Sequence, residues 1–134
     1  LGRTNKNMTP QEYQQAAQRT ECNYDKARQM LSGHRQQRLL HGAIGLGTES
    51  GELADALKKH IFYAQPLNTE NVFEELGDIL WYIAIICNEM NWPLDEVMAA
   101  NIAKLKVRYP QKFTEQKAAN RQPNLELEAV KGKL

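Results

Sequence analysis

Four acidic residues of this sequence stand in two matched pairs, Glu49 with Glu52 and Glu75 with Asp78. A spacing of three puts both members of a pair on one side of a helix. Two like charges so placed cost an isolated helix roughly 0.2–0.5 kcal/mol. Four of them along one groove repel strongly unless a cation neutralises them. A single Glu-x-x-Glu is commonly no more than a solvated acidic flank, so the case depends on whether the two pairs meet.

They meet if the helices that carry them are antiparallel neighbours. With one helix ending near Lys59 and the next starting near Thr69, the pairs lie roughly 13 Å and 10 Å from the turn, at about 1.5 Å per residue. An all-oxygen cluster at one level suits Mg²⁺, or Mn²⁺ in its place. Both are hard ions that prefer carboxylates and keep positions for water and phosphate. A di-iron bundle would need Glu-x-x-His on each of two helices. Here the last position of each pair is Glu52 or Asp78, and none of His34, His41 and His60 supplies that pattern.

The elements that must position these acids are helical. Thr9-Pro10-Gln11-Glu12 is a start signal, with Thr9 as cap, Pro10 in the first turn and Glu12 completing a capping box. That helix should run to about residue 20, and Gly33 interrupts the stretch after it. From Arg35 a second helix is expected, with Leu39, Ala43, Leu46, Ser50, Leu53, Leu57 and Ile61 as its core stripe. Pro66 and Asn68 mark a connection. Val72, Leu76, Ile79, Ile83, Ile86 and Met90 then alternate in steps of four and three, the seam of helices packed side by side. Asn91-Trp92-Pro93 ends this helix and opens another, with Leu94, Val97, Met98, Ile102 and Leu105 facing inward until Pro110. No stretch alternates with the period of a strand, so the fold class is all-α. The expected layout is a polar arm over 1–8, a helical domain over 9–113 and a polar tail over 114–134. The weak apolar pattern of that tail would be ordered by lying on a neighbouring subunit.

Other residues border the acids. Arg38, Gly42, Gly45, Glu49, Glu52, Ala56 and Lys59 share one side of their helix, and the glycines there leave room either for a ligand or for a close helix neighbour. Tyr82 shares the face of Asp78 and can reach a ligand or fill the core. Trp81 can stack on a base or fill an interface. Asn101, Lys104 and Arg108 lie within about 60° of one another on their helix and can hold phosphate oxygens or form a solvated basic face.

Bulk properties exclude other classes. Seventeen basic and sixteen acidic side chains leave a net charge of +1 over 134 residues, against a protein built to grip a nucleic acid polymer. The longest apolar run, Ile79 to Cys87, has nine residues, about half of a membrane span. Cys22 and Cys87 have no partner spacing, and Cys87 reads as a buried free thiol. A soluble cytoplasmic protein is expected.

Glu49-Ser-Gly-Glu52-Leu-Ala-Asp, followed by Glu75-Leu-Gly-Asp78-Ile-Leu-Trp-Tyr82 with 22 residues between Glu52 and Glu75, resembles the MazG-type nucleoside triphosphate pyrophosphohydrolases of the all-α pyrophosphatase superfamily. Asn101-x-x-Lys104-Leu-x-x-Arg108-Tyr109-Pro110 resembles the segment that follows in many members, and the likeness covers roughly residues 35 to 113. It implies a four- to five-helix bundle assembled as a homodimer or homotetramer. It also implies Mg²⁺ on Glu49, Glu52, Glu75 and Asp78 and hydrolysis of a (deoxy)nucleoside triphosphate to the monophosphate and pyrophosphate. Lys104, with Asn101 and Arg108, would hold the phosphate tail, and Tyr82 and Trp81 would meet the sugar or base. The alternative is a non-catalytic helical oligomer that binds nucleotides or a protein partner, for which four clustered acids have little use.

Overall fold

Seven helices and no strand occupy residues 8–133, the described residues of this computed structural model. Residues 1–7 of the expected polar arm lie outside them. The helices are α1 (Pro10–Gln18), α2 (Tyr24–Leu31), α3 (His34–Tyr63), α4 (Thr69–Met90), α5 (Leu94–Arg108), α6 (Glu115–Ala119) and α7 (Pro123–Lys131). The chain divides after Gln36 into two compact units.

In the first unit the capping box forms as its sequence predicts. Thr9 Oγ1 accepts from the Glu12 backbone N–H at 3.2 Å, and the Thr9 N–H donates to Glu12 Oε2 at 2.7 Å. A separate α2 starts at Asn23, whose Oδ1 accepts from the N–H groups of Asp25 and Lys26. This second start has no apolar periodicity behind it, which is why the sequence pattern does not announce it. Neither α1 nor α2 contains a buried residue. The break at Gly33 falls where expected, between α2 and α3.

The second unit is organised by the pairing of α3 with α4. Arg38 Nη1 donates to Glu89 Oε2 at 2.7 Å. Gly42 lies against Ile86, and Gly45 against the Tyr82 ring. Residue numbers rise on one helix as they fall on the other, so the two are antiparallel. The expected antiparallel hairpin is there, but α3 meets α4 with its glycine and acid face. Gly42 and Gly45 are its buried residues, whereas Leu57 and Ile61 of the expected stripe are exposed. A missing Cβ lets two backbones approach closely, and that gain decides the face here.

Local chemistry fixes the ends of α4. Asn68 caps its start by accepting from the Asn71 N–H at 3.0 Å. Asn91 ends it in the left-handed region, at φ 54 and ψ 38, which asparagine tolerates better than most residues. Residues 114 to 133 form more than a featureless tail. Thr114 caps α6, and α7 packs along α5 of the same chain. Glu126 of α7, only 2% exposed, accepts from Arg108 Nε at 3.0 Å and Nη2 at 2.5 Å and from Arg121 Nη2 at 3.0 Å.

Among the described residues the buried apolar side chains are Cys87, a free thiol as expected, and Ala100. Most apolar stripes remain uncovered, including Leu76 on α4 and Met98 and Ile102 on the face of α5 expected to point inward. Among the described residues no helix is long and apolar enough to cross a membrane.

Candidate active site

The register of the α3–α4 pair carries directly into the acids. One turn beyond Gly45 on α3 comes Glu49 and then Glu52, while one turn before Tyr82 on α4 come Asp78 and then Glu75. One carboxylate oxygen each from Glu49, Glu52 and Glu75 lies within 4.8 Å of the others. Asp78 is exposed and stands outside that three-oxygen cluster, yet its charge still acts on Glu49.

The neighbouring acids act electrostatically on Glu49. Burial first, and then the charge of Glu52, lift the Glu49 carboxyl above its ordinary range. Glu75 and Asp78 add to the effect, and a hydrogen bond from Thr48 opposes it. The ionised form of Glu49 is therefore less favoured beside the other acids than it would be alone. Glu75 escapes being unsatisfied through Asn71, whose Nδ2 donates to Oε1 at 2.8 Å.

The donor set fits a hard divalent ion. Mg²⁺ holds oxygens at about 2.0–2.1 Å, so ligands on opposite sides of it stand about 4 Å apart. Adjacent ligands of such an ion stand about 3 Å apart, so three oxygens within 4.8 Å of one another would draw closer around it. All donors are oxygen, and no histidine or cysteine belongs to the cluster, which disfavours zinc and iron sites.

A cleft of about 750 Å³ opens beside the acids. Glu52 and Glu75 form part of its lining, together with Asp55, Lys59, Asn68 and Asn71. Asp55 is paired with Lys58 and Lys59 at 2.6 and 2.5 Å. Those two ammonium groups hold its carboxyl down to about 2, so its charge is already matched. Lys59 was expected on the side of α3 that carries the acids, whereas Asp55 and Asn71 were not among the expected site residues. Their signal was spacing alone, since each lies within a helical turn or two of Glu52 or Glu75 on the same helix.

An aromatic group outside the lining of the cleft stands one turn from Asp78 on α4. The Tyr82 ring meets Trp81 edge-on at 4.9 Å and His41 at 5.6 Å between centroids, and His41 reaches Trp81 at 6.5 Å. Trp81 is 53% exposed.

The α5 residues lie elsewhere. Asn101 and Lys104 line a separate cavity of about 390 Å³, together with Trp92, Val97, Ala100, Val130 and Lys133. Arg108 is engaged by Glu126 through both carboxylate oxygens. Within one chain, then, the acids are brought together and the α5 cations are not among them.

The Glu126 contact has a pH signature. Hydrogen bonds from Arg108, then from Arg121, hold its carboxyl down to about 2 from an ordinary 4.5. A depressed folded value contributes stability above the unfolded value and loses it as pH falls through the folded one. The α7 resonances in an NMR pH series should therefore stay put from pH 7 to pH 5. They should move to detached positions between about 4.5 and about 2. Detachment already complete at pH 5 would refute the contact.

Comparison with known proteins places this geometry. Residues 38–113 match the family model of the MazG nucleotide pyrophosphohydrolase domain, a stretch that contains both acid pairs and ends before α6. The gene 37 protein of Mycobacterium phage L5 is 32% identical over 74 residues, covering 52% of this chain and 65% of that protein. The chain thus matches less than two thirds of that relative's length. No solved structure matches it.

Proposed function

The chain belongs to the MazG nucleotide pyrophosphohydrolase family, and on that premise we propose that it hydrolyses (deoxy)nucleoside triphosphates to the monophosphate and pyrophosphate with Mg²⁺. The observation that carries this reading is the convergence of Glu49, Glu52 and Glu75, the last two of which line a cleft large enough for a nucleotide.

Glu49, Glu52 and Glu75 would hold the ion, with Asp78 completing the set from the same level of α4. A divalent ion bound there neutralises phosphate oxygens and lowers the pKa of an attacking water. The chain's own part is to hold the acids at one level and present a wall for the nucleoside. The backbone contact at Gly45 does the first. The exposed Trp81, propped on Tyr82 and His41, does the second.

Two features support assembly of more than one copy. Phe73 and Leu80 on α4 are 82% and 56% exposed, and uncovered apolar stripes of this extent are usual at protein interfaces. Asn101 and Lys104 lie away from the acids of their own chain. A second copy that covers α4 and turns its α5 toward the cleft would meet both needs. That arrangement would place Asn101 and Lys104 against the phosphate tail, while Arg108 stays with Glu126.

The test is one experiment with two readouts. A preparation whose light-scattering mass is two or four chains is expected to release pyrophosphate from at least one common triphosphate, with Mg²⁺ required. Tight nucleotide binding with no turnover under any divalent ion would favour the non-catalytic binder instead.

A further inference from the structure

Glu75 differs from the other acids in being almost wholly covered, at 5% exposure. Oxygens of a carboxylate buried to that degree need hydrogen-bond donors. Asn71 supplies one from four residues earlier on the same face of α4, with Nδ2 2.8 Å from Oε1. Asn71 is itself held in the first turn of α4, where its backbone N–H donates to the capping Asn68 Oδ1 at 3.0 Å. Both asparagines line the cleft beside the acids.

The choice of an amide matters. A lysine or arginine here would satisfy the same oxygen but cancel a charge that a bound cation needs. A leucine would leave Oε1 without that donor and let the carboxylate turn. A neutral donor fixes direction and preserves charge. On the reading that these acids hold a divalent cation, we propose that Asn71 is a positioning residue for Glu75. It locks the carboxylate in the orientation that brings one oxygen within 4.8 Å of those of Glu49 and Glu52, and so sets the affinity of the centre for its ion.

Partners that orient a metal ligand typically change affinity or activity by about 10–100-fold when removed. Mn²⁺ binding, followed by electron paramagnetic resonance of the free ion, should be at least about 10-fold weaker in Asn71→Leu. Asn71→Gln, which keeps an amide on the same face, should recover most of the loss. Saturating Mg²⁺ should restore the turnover of Asn71→Leu, a recovery that a general folding defect would not show. If the leucine variant does not fold, Asn71→Ser, too short to reach Glu75, carries the same expectation.

Glu75→Gln separates this proposal from the reading it rests on. Equal Mn²⁺ affinity in the wild type and Asn71→Leu, with loss in Glu75→Gln, overturns the role of Asn71 and keeps the metal centre. Mn²⁺ affinity unchanged in Glu75→Gln, or no Mn²⁺ bound by the wild type, overturns both.

Discussion

Replacing Glu52 by Gln or Asp78 by Asn is expected to abolish Mg²⁺-dependent pyrophosphate release while the helical circular dichroism spectrum stays that of the wild type. The two variants act on different parts of one charge set. Glu52 contributes an oxygen to the three-carboxylate cluster and lines the cleft. Asp78 adds its charge from outside that cluster. Each amide keeps the shape of the acid and removes a negative charge. A bound cation supplies several kcal/mol of transition-state stabilisation, and at about 1.4 kcal/mol per decade its loss is worth at least about 10²–10³ in rate. Removing one of several repelling carboxylates costs the apo fold nothing, so the spectrum has no reason to change. Full activity in both variants would sink the assignment of the centre.

The second large effect lies at Gly45. A Cβ built there runs into the Tyr82 ring, so Gly45→Val must push α3 and α4 apart or turn the ring out. Overpacking of this kind costs about 1–3 kcal/mol, and a domain near this size loses roughly 4–8 °C in Tm for each 1 kcal/mol. Activity should fall with stability, because the same contact sets the level of the acids. Gly47 is the control. A Cβ there meets nothing within 4 Å, and Gly47→Ala should stabilise by about 0.5–1 kcal/mol through helix propensity. Thermal melts that rank Gly45→Val level with Gly47→Ala would contradict the close approach at Gly45.

Much of this could be read in the sequence, and what could not has physical reasons. The capping box at Thr9 and the stop at Asn91 are local chemistry, and they formed where their residues stand. The acids were legible because a spacing of three fixes direction on a helix whatever lies around it. The face of α3 that meets α4 was legible only as one of two readings of Gly42 and Gly45, room for a ligand or a close helix neighbour. Hydropathy favours the stripe of Leu39, Leu46 and Leu53, whereas the close neighbour is won by Gly42 and Gly45, which carry no hydropathic signal. The partner of Arg108 was hidden for another reason. Glu126 lies on a nine-residue helix behind a five-residue one, both too short to show a period. Nothing in the spacing of Arg108 distinguishes a phosphate ligand from an arginine claimed by a distant carboxylate.

The glycines of α3 have one more consequence. Gly42, Gly45, Gly47 and Gly51 fall within ten residues of a single helix, and each weakens an isolated helix by about 1 kcal/mol relative to alanine. The middle of α3 therefore has little reason to be helical before α4 lies beside it. Nucleation belongs more naturally to α4, which is capped at Asn68 and free of such a run. Glu49 sits inside the glycine-weakened stretch and Glu52 directly after it, so they have no fixed direction until the hairpin closes. A half-folded chain consequently holds no weak version of the acid cluster, and its carboxylates gather in the same step that brings the two helices together.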